Sequence, residues 1–211
     1  MSDYRKITAV CPQCGKEIGV SAPESINMSV NPQDGQKLID GTLFEAACSC
    51  GAKISIDFPV LYHDPEKRIM IYYVKPEAVT RTEALFSALR MNPDFGQKGY
   101  QLRVATDQET LREKAMIFSA GMDDRVMEVI KLTYILYMRR KYPKERIIGA
   151  LFVSKGEKYM LQTVGSVPVE SEISREFYDQ LHAQYAPRLA NESSARVDFD
   201  WAVHFLGYDK A

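Results

Sequence analysis

Cys11-Pro12-Gln13-Cys14-Gly15 and Cys48-Ser49-Cys50-Gly51 contain all four cysteines of this 211-residue chain. Two thiolates on a tight turn can grip one face of a metal ion, and a second pair brought opposite completes a tetrahedron. A glycine follows each pair and can supply the open backbone that turns amides toward charged sulfur. In a reducing compartment, cysteines paired this closely favour a metal over disulfides. The spacing therefore predicts a structural Zn2+ site with Cys11, Cys14, Cys48 and Cys50 as its ligands. Free thiols, redox chemistry and iron are the alternatives. A thioredoxin-type pair needs a helix start after the first cysteine, whereas a strand is expected after Gly15. A full four-thiolate site leaves no open position, which argues against catalysis at the metal.

Working outward, Lys6–Val10 reads as a strand delivering Cys11, and Lys16–Val20 leads away from the turn. Leu43–Ala47 is the approach to the second pair. Ile54, Ile56 and Phe58 alternate with polar residues, as in a half-buried strand. Between these arms, Ser25-Ile26-Asn27 shows a weak sign of local order, and Asn31-Pro32 and Asp34-Gly35 read as turns. Leu61-Tyr62-His63-Asp64-Pro65 ends in a turn, and Arg68–Val74 is the strongest strand of this part. Residues 1–75 are thus expected to form a zinc-knuckle β region, a small antiparallel sheet carrying the cysteines at one end.

Residues 76–211 are expected to form an α+β region that can share one core with the first. Pro76 suits the first turn of a helix running to about Met91, and Tyr100–Ala105 is a short strand. Thr106 and Glu109 have capping-box spacing, and Gly121 ends the helix they open. Asp123 or Asp124 then caps a helix that is apolar nearly all round from Val126 to Met138, so it is buried or covered by a partner. Ile147–Val153 and Lys158–Val164 read as a β-hairpin. Ser171 or Ser174 opens a helix with Ile173, Phe177, Leu181 and Tyr185 as its apolar stripe, limited by Pro187. Val197, Phe199 and Trp201 alternate with acids and suggest a final strand, with a helical turn over Trp201–Leu206 as the alternative. The fold class expected is α+β.

Net charge is −1, and basic and acidic residues balance in both parts of the chain, against a protein whose whole surface grips nucleic acid. The N-terminus lacks the apolar core of a signal peptide, and no segment suits a membrane span. No membrane contact and a cytoplasmic location are the expectations.

Catalytic candidates are few. His63 and Asp64 could exchange a proton, but neighbouring side chains diverge and Asp64-Pro65 suits a turn. His63 is also the nearest spare ligand in sequence should one cysteine not bind metal. Glu113, Asp123, Asp124 and Glu128 could together hold magnesium for nuclease-like or hydrolytic work. Caps and ion pairs with Arg112, Arg125 or Lys131 are the plainer account of these acids. Asp124-Arg125, just ahead of the apolar helix, suits a buried ion pair that fixes the angle between two helices. Arg139, Arg140, Lys141, Lys144 and Arg146 suit a solvated helix end.

The string Cys11-Pro12-Gln13-Cys14-Gly15, Ser25-Ile26-Asn27, Leu43-Phe44, Cys50-Gly51, Leu61-Tyr62-His63-Asp64 and Met70-Ile71 resembles the bacterial CpXC-domain proteins. The likeness continues through Leu111-Arg112-Glu113-Lys114 and Asp123-Asp124-Arg125-Val126, covering roughly residues 5–135. The resemblance implies a bacterial protein with a metal-binding domain, and it implies no reaction. The family's second element usually has two residues between its cysteines. Here Ser49 alone separates Cys48 from Cys50, which means a tighter bite. The function expected is a zinc-stabilised interaction module of unknown biological role. Its partner is a protein or a second copy meeting the apolar helix 126–138, and nucleic acid is the less favoured partner. The alternative is a hydrolase or nuclease-like enzyme using Glu113, Asp123, Asp124 and Glu128.

Overall fold

The computed structural model describes residues 4–210 and has an α+β fold with small antiparallel sheets. The chain divides into two compact units, Met1–Ala115 and Met116–Ala211.

The first unit is built on two hairpins and a four-stranded sheet. β1 (Tyr4–Val10) pairs antiparallel with β2 (Glu17–Pro23), from Tyr4↔Pro23 to Val10↔Glu17. β4 (Glu45–Ala47) and β5 (Lys53–Ser55) make the second, shorter hairpin. One cysteine pair sits at the tip of each. The remaining strands β3 (Ser25–Asn27), β6 (Val60–Asp64), β7 (Ile69–Tyr73) and β8 (Gln101–Ala105) form one sheet in the order 3-6-7-8. It is mixed: β6–β7 is an antiparallel hairpin, whereas β3–β6 and β7–β8 are parallel. Residues 61–64 are therefore strand, with the turn following them. β8 lies beyond residue 75, yet it supplies the neighbour that the apolar β7 requires.

Parallel pairing of β7 and β8 needs a crossover, and residues 76–100 provide it. Pro76 opens a single 3-10 turn that runs into α2 (Val79–Met91), which ends at Met91 as expected, with Asn92 as its C-cap. A short turn of helix, α3 (Pro93–Gly96), precedes β8. On one sheet face, Tyr62, Ile71, Ile26 and Tyr73 are almost fully buried. The other face carries Leu61, Met70 and Tyr72, which are only half-buried. Phe44 extends the core, with its ring 4.7 Å from Phe58 and 5.8 Å from Tyr73.

The segment expected to hold two turns is a helix, α1 (Pro32–Asp40). Pro32 occupies its first turn, where a missing amide costs nothing, and Gly41 at φ 80° closes it. Asp34 is the reason the segment folds inward. Its buried carboxylate accepts from Asn31 Nδ2 at 3.0 Å, from Lys37 Nζ at 2.9 Å, and from the Tyr4 hydroxyl. Burial pushes the Asp34 pKa up, but the hydrogen bonds from Tyr4, Lys37 and Asn31 outweigh it and hold the group below the ordinary carboxylate value.

α4 (Gln108–Ser119) starts one step later than the capping-box reading implies. Asp107 is the cap, accepting from the Thr110 amide at 2.7 Å, so Thr106 is not used. Gly121 ends the turn at φ 67°, with its amide on Phe118 and the Met122 amide on Ile117.

In the second unit, α5 (Asp124–Lys141) buries Val126, Met127, Val129, Ile130, Leu132, Ile135 and Met138 within the chain itself. Asp123 is its cap, accepting from the Arg125 amide at 2.9 Å. β9 (Ile147–Lys155), β10 (Lys158–Gly165) and β11 (Glu170–Glu172) form an antiparallel sheet, with Ile147 and Ala150 packed on Ile135 and Met138. Ser174 caps α6 (Arg175–Leu189). Its buried residues are Tyr178 and Leu189, not the expected stripe, and Phe177 is exposed. Tyr178 decides the phase, because its hydroxyl accepts from the Asp123 amide at 2.5 Å. Pro187 sits inside the last turn without ending it.

The tail is helix rather than strand: α7 (Phe199–Leu206). The alternation of Val197, Phe199 and Trp201 gives way to a cap, since Asp198 accepts from the Trp201 amide at 2.9 Å. Gly207 at φ 80° closes the helix, and Trp201, Ala202 and Phe205 form its buried face. Among the described residues, no helix is long and apolar enough to cross a membrane.

Arg125 ties this unit together. Its guanidinium pairs with Asp123 at 2.6 Å and donates to the carbonyls of Leu189 and Glu192, both at 2.9 Å. The ion pair is therefore Asp123–Arg125, and it anchors the end of α6. Asp123→Ala removes a helix cap and strands a largely buried guanidinium. It is expected to lower the unfolding free energy by about 3 kcal/mol, read by urea denaturation. A loss below about 1 kcal/mol would mean that the pair contributes little beyond the cap. Asp34 sets an acid limit. A carboxylate whose folded pKa is depressed adds stability above its unfolded pKa, about 3.9, and loses it as pH falls through the folded value. Asp34→Asn should therefore flatten the melting temperature between pH 4 and pH 2, about where the native chain declines most steeply.

Candidate metal centre

The two hairpin tips are built alike, one a residue shorter than the other. In the first, the Cys11 amide donates to Lys16 O and the Gly15 amide to Cys11 O, both at 2.9 Å. In the second, the Cys48 amide donates to Ala52 O at 2.8 Å and the Gly51 amide to Cys48 O at 2.9 Å. Each turn thus keeps the same two bonds, and the missing residue beside Ser49 is absorbed by closing each ring one residue earlier. Gly15 at φ 72° and Gly51 at φ 90° make these turns possible. A Cβ at either position would meet nothing within 4 Å, so the need for glycine is conformational, not steric crowding.

The result is one cluster of sulfurs. Cys14 and Cys48 lie 3.5 Å apart and Cys11 and Cys50 3.8 Å apart, and all four sulfurs fall within 4.8 Å of one another. Zinc–sulfur bonds of about 2.3 Å in a tetrahedron place sulfurs about 3.8 Å apart. The four cysteines could therefore hold a metal ion, as in a zinc-ribbon-like knuckle. Cys11 and Cys48 are buried, while Cys14 and Cys50 reach solvent.

The four thiols act strongly on one another's ionisation. The Cys50 amide is the main influence drawing the Cys48 thiol down to about 6, with help from the other sulfurs and against burial. Cys14 goes the opposite way. The Lys16 amide lowers it, but burial and the three neighbouring sulfurs win and push it up to about 12. One thiolate forms readily, and the next must form beside it. The glycine amides themselves go to carbonyls, so Lys16 and Cys50 are the residues whose amides face sulfur.

The other candidate residues do not assemble into a comparable group. Among the described residues, the cysteine quartet is the only set of three or more His, Cys, Asp or Glu side chains that could hold a metal. His63 lies on β6 with its Nε2 3.1 Å from the Tyr100 hydroxyl, and burial lowers its pKa against the opposing charge of Asp64. Asp64 is buried and accepts from the Lys67 amide at 3.1 Å, holding the β6–β7 turn. Asp123 is the cap of α5. Glu128 pairs with Lys131 at 2.9 Å. Glu113 and Asp124 are buried and engaged. Arg112 donates to Ile39 O at 2.7 Å, and Arg139 to Ile147 O at 3.0 Å. Asp34, with its partners Tyr4 and Asn31, had no signal in the sequence, because those partners meet only once β1 and α1 are in place.

No curated protein and no solved structure matches the chain. Residues 9–131 match the family described as CpXC protein, a span that takes in all four cysteines and more than half of the chain. The chain belongs to the CpXC family.

Proposed function

We propose that the quartet binds one zinc ion as a structural clamp and that the chain is an interaction module for a protein partner. The observation that carries this reading is the complete donor set. Four sulfurs within 4.8 Å of one another would fill a tetrahedral ion and leave no position for water or substrate. A metal suits it better than a redox pair because the facing sulfurs stand 3.5 and 3.8 Å apart, beyond disulfide bonding. Zinc is preferred over iron, which takes the same tetrahedral donor set and is separated from it by the metal assay below.

A protein partner fits the charge balance better than nucleic acid. The apolar side of α5 is covered within the chain, and the exposed residues of that helix include Thr133, Tyr137, Arg140 and Lys141. These recur at helical spacing along one side. Lys141 already lies over the Tyr137 ring at 5.8 Å, which leaves that ring less available to stack on a base. A protein with an acidic surface, or a second copy offering its own acids, would meet this face.

The direct test is metal content and native mass of the full chain purified without added metal. About one zinc per chain is expected, the stoichiometry of a single four-cysteine site. Cys11→Ser and Cys48→Ser should lose the ion, and chelation should unfold the first unit, because a structural metal contributes folding energy directly. Iron, no metal, or an apo chain that melts as the metal-bound chain does would overturn the clamp. A second measurement separates the partners. Retention of a random DNA duplex near 0.15 M salt should be negligible. Salt-sensitive binding abolished by Arg140→Ala with Lys141→Ala would favour nucleic acid instead.

A further inference from the structure

The half-buried face of the four-stranded sheet does not close against its crossover. Between them lies a cavity of about 510 Å³, within the range of about 300–1,000 Å³ that small-molecule sites occupy. Its apolar lining includes Met70 and Tyr72 from the sheet and Phe86 and Leu89 from α2. Register places Leu61 and Tyr72 side by side across β6 and β7, so the sheet side is continuous. Two charged residues, Arg5 and Glu24, also line it.

Those charges are not spent on each other. Arg5 uses one Nη on Pro59 O at 3.0 Å, while its Nε is shielded from solvent and has no hydrogen-bond partner among the described residues. Glu24 is exposed at the edge of the cavity and has no ion-pair partner among the described residues. Arg5 pairs with Ala22 across the β1–β2 hairpin, two residues before Glu24, so one hairpin base supplies both groups. Nε is too enclosed to meet a ligand, but the guanidinium also has an Nη not used on Pro59, and a cationic donor group beside apolar walls calls for a carboxylate. An isolated carboxylate would also feel Glu24. A ligand that carries an ammonium beside its carboxylate satisfies both ends, and an apolar body fills the rest.

We propose that this cavity binds a small apolar zwitterion, an α-amino acid with an aromatic or branched side chain, its carboxylate on Arg5 and its ammonium on Glu24. The side chain lies between Tyr72 on the sheet and Phe86 and Leu89 on the helix. Leu85, half exposed at the same cavity, would be covered by the bound side chain. The site does not depend on the identity of the metal at the hairpin tips.

The test is isothermal titration calorimetry on the full chain with its metal in place, using L-phenylalanine and L-leucine. Phenylacetate and phenethylamine are the probes that carry one charge each. Saturable binding of at least one amino acid at one site per chain is expected. Each single-charge probe should bind about tenfold more weakly or worse, the cost of one lost charged contact. Glu24→Gln and Arg5→Gln should each weaken the amino acid by a similar factor. Glu24 is exposed, so its variant tests the site even if Arg5→Gln disturbs the contact with Pro59. Leu85→Glu should weaken binding without changing the melting curve. Absence of binding by both amino acids, phenylacetate binding as tightly as phenylalanine, or Glu24→Gln leaving affinity unchanged would overturn the proposal.

Discussion

Cys14 and Cys48 are 34 residues apart in the chain, and their sulfurs are 3.5 Å apart in the fold. Four thiols this close make a cluster that a cation could occupy. As thiols they are weak hydrogen-bonding partners. As thiolates they repel one another at distances where a low dielectric magnifies the charge. The opposed shifts of Cys48 and Cys14 express this conflict. A cation at the centre would convert the repulsion into attraction and tie the two hairpins together. The short β4–β5 pair, three residues on each strand, has Ile54 in the core and its cysteines against those of the first hairpin.

What could be read in the sequence was local chemistry. The Cys-Pro-x-Cys-Gly turn carries its own instructions, since proline sets φ on one side and glycine permits a left-handed residue on the other. The same is true of the hairpin at Lys155–Lys158, of Asp123 ahead of a long apolar run, and of Gly121. Each is decided by neighbours within four residues. The pairing of the four cysteines on two tight turns was legible for this reason, and the gap at Ser49 was visible as a tighter bite.

The misreadings have one cause, a partner far away in sequence. Asp34-Gly35 has turn chemistry, yet it lies in a helix because Tyr4 and Asn31 claim the carboxylate. Val197, Phe199 and Trp201 alternate as a strand would, but Asp198 turns out to be a cap, and α7 lays Trp201 and Phe205 on one buried face. Parallel pairing of β7 with β8 has no local signature, because the register is decided by the crossover between them. For the same reason the acids at 113–128 looked like one cluster in the sequence, while Asp123 and Glu128 have each been taken by a basic neighbour on their own helix.

The first hairpin joins the two regions argued to be functional. Its tip carries Cys11 and Cys14, and its base carries Arg5 next to Glu24. Between them runs an unbroken antiparallel register, from Val10↔Glu17 at the cysteine end to Tyr4↔Pro23 at the sheet end. A two-stranded hairpin is marginal on its own in water. This one is pinned at the tip by the cluster and at the base by Tyr4 on Asp34 and Arg5 on Pro59. Freeing the tip would therefore loosen the ladder that positions the guanidinium. A ligand at the base and a cation at the tip would both favour the same closed hairpin, and linkage would then have each strengthen the other.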